Sequence, residues 1–280
     1  MTIAAALRAG SIALKAANIP DAPRDARRLM AHALDIAADR LTLMAGDDIT
    51  TAQKTSFDNY ITARSKGQPV SQIIGSRQFF GHGFRLTADV LDPRPETEIL
   101  VAEALKYSFR RVLDLGTGSG AIILSLLHSR PDATGLGVDL SGAALAVAQE
   151  NARNLDLAER VDFQQGDWFE GVQGRFDLIV CNPPYITAQE YADLDQGVRN
   201  FEPKMALTPG GDGLAPYRVI TANLADYLQD NARILMEIGP KQGLAVAEMF
   251  KESKLSSVKI LRDFDGRDRV VSGHFTAHAQ

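Results

Sequence analysis

From Arg111 onward, short apolar runs alternate with longer stretches of helical periodicity, and few folds accommodate that order. Residues 112–115 (Val-Leu-Asp-Leu) read as a first strand, which runs into Gly116-Thr117-Gly118-Ser119-Gly120-Ala121. A helix through Ile122, Ile123, Leu124, Leu126 and Leu127 follows. Residues 135–140, 161–163 and 178–181 read as further strands, with a helix through Ala144, Leu145 and Ala148 after the second. Strands joined through helices run parallel, so the pattern implies an α/β protein with a parallel sheet covered on both faces. Residues 216–228 and 241–250 read as helices flanking a fifth strand at 232–238. Residues 258–261 and 270–275 read as two strands that pair antiparallel at the sheet edge.

Open sheets of this kind bind ligands beyond the C-terminal ends of their strands. At the first end, glycines permit a tight turn and close backbone approach to a ligand at a helix N-terminus. Gly116, Gly118 and Ala121 have dinucleotide-fingerprint spacing, a weak signal by itself. At the second end, Asp139 is placed to accept both hydroxyls of a ribose; the alternative is an N-cap for the next helix. Nicotinamide cofactors and S-adenosylmethionine share this arrangement. At the third, Gly166-Asp167-Trp168 should lie beside an adenine. Asp167 could accept from its amine and Trp168, the chain's single tryptophan, could pack near the ring or simply fill core.

The fourth end is Asn182-Pro183-Pro184-Tyr185. The prolines end the strand and stiffen the turn, because each lacks a ladder donor and has a locked φ. The Asn182 side-chain oxygen and the Pro183 carbonyl are both acceptors that could face a planar NH2 group, with Tyr185 flat against its plane. The four ends in this order are far more specific than any one of them. Nothing in the last turn is a strong nucleophile or base.

Upstream, residues 1–68 read as a small helical bundle. Thr2, Asp21 and Thr50 or Thr51 are candidate N-caps. Ala26, Leu29, Met30, Ala33 and Leu34 form an apolar stripe, and Phe57, Tyr60 and Ile61 another. Residues 69–92 look like a hairpin linker, and 93–280 form the α/β domain. Thr97 or Glu98 reads as a cap for the helix through Ile99, Leu100 and Ala104, with a ligand-facing role as the alternative. The polar stretch from Tyr185 to about Gly213 reads as a long loop shaping substrate entry.

Composition narrows the class. A formal net charge of −5 argues against a broad nucleic-acid footprint. A single cysteine, Cys181, permits no internal disulfide and fits a reducing compartment. It reads as a small buried hydrophobe. The five histidines lack ligand spacing, so no metal site is expected. Arg8 and Lys15 interrupt the alanine-rich start, so neither a signal peptide nor a membrane span is expected.

Asp114 to Gly120 resembles the S-adenosylmethionine motif of class I methyltransferases, and Asn182-Pro183-Pro184-Tyr185 the turn of amino-methyltransferases acting on glutamine amides or adenine. Pro93-Arg94-Pro95-Glu96-Thr97-Glu98, the segment from Phe201-Glu202-Pro203 to Ala206-Leu207 and the helical N-terminal region make the whole chain similar to the release factor glutamine methyltransferases of the PrmC/HemK type. The resemblance implies a Rossmann-like, mostly parallel seven-stranded sheet with its last strand antiparallel. It implies methyl transfer from S-adenosylmethionine, leaving S-adenosylhomocysteine, to the glutamine side-chain nitrogen in the Gly-Gly-Gln motif of peptide chain release factors. Gly116, Thr117, Gly118, Ser119, Gly120, Asp139, Asp167, Trp168 and Asn182 would bind the cofactor. Asn182, Pro183, Pro184 and Tyr185 would hold the substrate, with Asn182, Pro183 and Tyr185 in the catalytic role. A cytoplasmic monomer, docking its substrate through residues 1–68 and binding no nucleic acid directly, is the matching expectation. The competing reading is a DNA adenine N6-methyltransferase, which uses a similar turn on a flipped base. A nicotinamide oxidoreductase leaves Asn182 to Tyr185 without a task, and a non-catalytic binding module is the remaining class.

Overall fold

The computed structural model describes residues 1–194 and 196–276. The chain divides into two compact units. The first takes Met1–Ser76, Leu194 and helix α9 (Gln196–Phe201). The second takes the rest of the described chain from Arg77.

In the first unit, α1 (Ile3–Ala16), α2 (Ala22–Leu34) and α3 (Thr51–Ser65) bury Ile3, Leu14, Ala26, Leu29, Met30, Phe57 and Ile61 in one core. Ala33, Leu34 and Tyr60 pack against it partly exposed. The Thr2 hydroxyl caps α1 by accepting from Ala5 N, and Thr50 closes a reciprocal capping box with Gln53 at the start of α3. Asp21 does not cap α2: its backbone is left-handed and its carboxylate pairs with Arg24. Pro23 in the first turn removes one donor that a cap would otherwise serve. The expected hairpin linker begins as a helix, α4 (Val70–Ile74), entered at Pro69 and closed by Gly75 at φ 75°. The hairpin itself follows as β1 (Ser76–Phe79) and β2 (His82–Arg85).

The second unit is organised by a seven-stranded sheet in the order β5-β4-β3-β6-β7-β9-β8. The strands are β3 (Arg111–Leu115), β4 (Thr134–Asp139), β5 (Val161–Gln165), β6 (Phe176–Cys181), β7 (Leu228–Glu237), β8 (Ser256–Arg262) and β9 (Asp268–His274). β3 to β7 pair parallel, while β9, last in the chain, runs antiparallel to both neighbours. Helices α5 (Glu98–Ala104), α6 (Ala121–Ser129), α7 (Gly142–Asn154), α11 (Ala215–Asn223) and α12 (Gly243–Glu252) connect and flank the strands. Alternate residues face opposite cores. Val112, Leu178, Val180 and Leu235 meet α5 and α6 residues such as Leu100, Val101 and Ile123. Leu113, Leu115, Ile179, Cys181, Ile234 and Met236 meet Tyr217 and Phe250.

Register decides what the sheet presents. Leu115 pairs with Val138 on one side and Cys181 on the other, and Cys181 pairs with Met236. Asp139 and Glu237, the last residues of β4 and β7, and Gly116 and Asn182, the first beyond β3 and β6, therefore lie level at the C-terminal ends of the four strands. The stretch after Tyr185 is not the uninterrupted loop the sequence suggests. It carries α8 (Ala188–Ala192) and α10 (Lys204–Leu207) as well as α9. Each has four to six residues, too few for hydrophobic periodicity to show.

Ile179 lies on the central β6 with no exposed surface. Ile179→Ala should cost about 2–5 kcal/mol, from lost transfer energy and the cavity left. A lowered urea midpoint at unchanged slope would register it.

Candidate functional site

The turn leaving β3 has glycine wherever the backbone turns left-handed: φ is 70° at Gly116, 56° at Gly118 and 78° at Gly120. A Cβ on Gly118 would meet nothing within 4 Å, and one on Gly116 only Trp168 Cζ3 at 3.8 Å. The turn thus presents bare backbone to open space beside the indole. Gly118 N donates to Asp139 Oδ2 at 2.8 Å and Ser141 N to Oδ1 at 2.9 Å. Asp139 is not the cap of α7, since Ser141 fills that place by accepting from Ala144 N. Burial raises the Asp139 carboxyl above its ordinary value, and the N–H groups of Ser141, Gly118 and Leu140 oppose this. Buried Asn151 on α7 donates to the Ser119 carbonyl at 2.9 Å and exchanges hydrogen bonds with the Arg85 backbone, bracing the turn against β2.

One cleft is lined by Gly116, Thr117, Gly118, Ser119, Asp139, Asp167, Trp168, Asn182 and Pro184. Gly120, Pro183 and Tyr185 do not line it. Gly120 packs toward Leu124 and Ala148, and Pro183 is buried. The Tyr185 hydroxyl instead donates to Glu237 Oε1 at 3.4 Å. Trp168 holds φ at 52°, a strained conformation for a bulky aromatic that persists only where the surroundings enforce it.

Asn182 Nδ2 donates to Thr97 Oγ1 at 3.3 Å, and Thr97 Oγ1 donates to Glu237 Oε2 at 2.6 Å. Thr97 lines the cleft and makes no helix-capping bond, contrary to the capping expectation. Glu98 accepts from Phe80 N. Glu237 is fully buried, and desolvation pushes its carboxyl to about 7 despite the Thr97 hydrogen bond and the nearby Arg269. Arg269 Nη1 lies 3.5 Å from the Tyr185 hydroxyl and its Nη2 pairs with Asp263.

Arg94 Nη2 donates to both oxygens of Glu202 at 2.7 Å, tying the 93–98 segment to the start of α10. Pro203, Met205 and Ala206 from that region line the cleft, as do Val90, Pro93 and Leu140. The sequence placed Pro203, Met205 and Ala206 only within a long loop at the site's entry, and it assigned Val90, Leu140, Asn151 and Glu237 no role there. The one visible signal for Glu237 was an acid at a strand end, as for Asp139. Burial holds the Cys181 thiol well above its ordinary value, so it is no nucleophile. Among the described residues, no group of His, Cys, Asp or Glu could hold a metal ion, and no helix is long and apolar enough to cross a membrane.

The "PrmC N-terminal domain" family matches residues 5–75, and the "Methyltransferase small domain" family residues 87–212. A release factor glutamine methyltransferase of Cereibacter sphaeroides is 50% identical over 277 residues, covering 99% of this chain and all of the relative. The chain belongs to the release factor glutamine methyltransferase family. A second family member, from Agrobacterium fabrum, is 39% identical over 97% of this chain and 96% of its own. This membership makes the chain a methyltransferase and gives no support to the DNA adenine reading. Among solved structures, a methyltransferase from Pyrococcus furiosus superposes with a TM-score of 0.54 at 17% identity over 71% of this chain and 91% of its own. The hMettl16 catalytic domain gives 0.57 at 17% identity, over 79% and 84%. Both show the shared fold.

Asp114, at the head of the glycine turn, has no exposed surface. Burial pushes its carboxyl from 3.8 to about 7, against the opposing pull of the Thr117 hydroxyl at 2.7 Å. The folded chain thus holds a proton that the unfolded chain loses, and stability falls as pH rises through that window. Asp114→Asn should flatten the fall in melting temperature between about pH 4 and 7. An unchanged pH slope would remove Asp114 as its source.

Proposed function

We propose that this protein transfers a methyl group from S-adenosylmethionine to the side-chain nitrogen of the glutamine in the Gly-Gly-Gln motif of peptide chain release factors. The observation that carries this reading is one cleft shared by the bare glycine turn, Asp139 and Asn182. The donor chemistry fits the cofactor. Gly116 to Gly120 offer exposed backbone at a helix N-terminus, and the Asp139 carboxylate lines the cleft as an acceptor for ribose hydroxyls. Asp167 and Trp168 line the cleft where an adenine amine and ring would lie. When bound, the cofactor supplies an electrophilic sulfonium methyl.

The chemical difficulty is that an amide nitrogen's lone pair is delocalised into its carbonyl. In this reading the Asn182 side-chain oxygen and the Pro183 carbonyl accept the two N–H bonds of the glutamine NH2. They hold the nitrogen in line for attack and stabilise the positive charge that grows on it. Pro183 and Pro184 keep those acceptors on a stiff backbone, and Tyr185 and Pro184 complete the substrate side. Residues 1–68 dock the release factor. The protein acts in the cytoplasm, as a monomer, on protein rather than nucleic acid, in keeping with its net charge of −5.

Offered labelled S-adenosylmethionine and a purified release factor, the protein should label the factor, and changing the loop glutamine should abolish the label. Labelling that survives that change would overturn the substrate assignment. Asn182→Ala should raise the barrier by about 3 kcal/mol or more, seen as a fall in kcat of roughly a hundred-fold. Asp139→Ala should act mainly on cofactor affinity measured by calorimetry, and wild-type affinity would take Asp139 out of the ribose role.

A further inference from the structure

The oxygen and nitrogen of an asparagine side chain are nearly the same size, so its orientation is chosen by the groups that bond to it. Orientation matters at Asn182, because only the oxygen can accept a substrate N–H. The described partner of its nitrogen is Thr97 Oγ1, at 3.3 Å. A threonine hydroxyl has one proton to give. Above about pH 7, where the buried carboxyl is ionised and can only accept, that proton is claimed by Glu237 Oε2, at 2.6 Å. The Thr97 oxygen is then left as an acceptor toward Asn182, and the Asn182 group facing it must be NH2. The Asn182 oxygen is turned the other way.

We propose that Thr97 and Glu237 are positioning residues for the transfer, holding the Asn182 amide with its oxygen presented to the substrate nitrogen. This rests on the proposed function and extends it to residues outside the Asn182–Tyr185 turn. Three separate segments build the device: the entry to α5, the end of β6 and the end of β7. Glu237 is 1% exposed and Thr97 3%, so water does not compete for the bonds. Burying a carboxyl at the end of a core strand is a poor way to stabilise a fold, since an apolar residue of similar volume usually does better. The Tyr185 hydroxyl donates to the other carboxylate oxygen, and Arg269 lies behind it. Each oxygen of the carboxyl thus faces a hydroxyl that donates to it.

The test uses the full-length protein, a release factor and labelled S-adenosylmethionine. Thr97→Val keeps the shape and removes the hydroxyl. It should lower kcat on the order of ten- to hundred-fold, as small misplacements of reacting groups do. KM for the release factor and calorimetric affinity for S-adenosylmethionine should stay near wild type. Thr97→Ser, which restores the hydroxyl, should restore kcat. Glu237→Gln should fall with Thr97→Val, because its NH2 can face Thr97 and free the threonine proton toward Asn182. An active Thr97→Val, or a loss that Thr97→Ser does not repair, would overturn the proposal. The side-chain NH2 signal of Asn182 in a nitrogen-15 spectrum, assigned by its absence in Asn182→Ser, gives a readout that needs no substrate. It should be shifted from the free-amide position in the wild type and Thr97→Ser, and return there in Thr97→Val. A free-amide position in the wild type would sink the proposal. If instead the release factor goes unlabelled while that signal behaves as expected, the substrate reading fails and the positioning stands.

Discussion

The site depends on parallel register. Because Leu115, Val138, Cys181 and Met236 sit level across four neighbouring strands, the residues that follow them line up at the strands' C-terminal ends. A one-residue slip of β6 would send Asn182 to the opposite face and bury the wrong set of side chains. The two cores hold that register, since β3, β6 and β7 contribute alternate residues to both and β4 contributes Leu136 and Val138 to one. The apolar runs that made the strands recognisable are therefore also what aligns the polar ends.

Those polar ends are assembled at a cost that the packing absorbs. Asp114 and Glu237 are carboxyls with essentially no exposed surface, and both are pushed to about 7 by burial. Each sits beneath one of the motif turns, bonded to a threonine hydroxyl: Asp114 to Thr117 and Glu237 to Thr97. The two turns thus share a construction in which a buried acid orients a threonine, one under the glycine turn and one behind Asn182. Trp168 adds backbone strain, with a positive φ on a ring packed against the core.

What could be read beforehand was whatever has a short-range signature. Strand and helix alternation, the glycine turn, the Asn-Pro-Pro-Tyr turn and the Thr2 and Thr50 caps are local, and the structure forms each of them. Asp21 failed as a cap because the same carboxylate can pair with Arg24, a competition that residue preferences do not resolve. Helices α4, α8 and α10 were missed because four or five residues cannot show a 3.6-residue period. Glu237 lies 55 positions after Asn182 and 140 after Thr97, so only the folded sheet reveals that the three touch. The same holds for Arg94 and Glu202, 108 residues apart, and for Asn151, whose partners come from β2 and the glycine turn.

Cys181, the single thiol of the chain, ends β6 immediately before Asn182, fully buried and with its thiolate strongly disfavoured. A thiol in that state reacts only when its strand is uncovered. The native protein therefore carries a silent internal clock: the rate at which a thiol reagent modifies it times the opening of the central sheet. By the same token, a cysteine introduced at an exposed position would be the one fast-reacting handle on the molecule, ready for a dye or a tether without removing the native residue first.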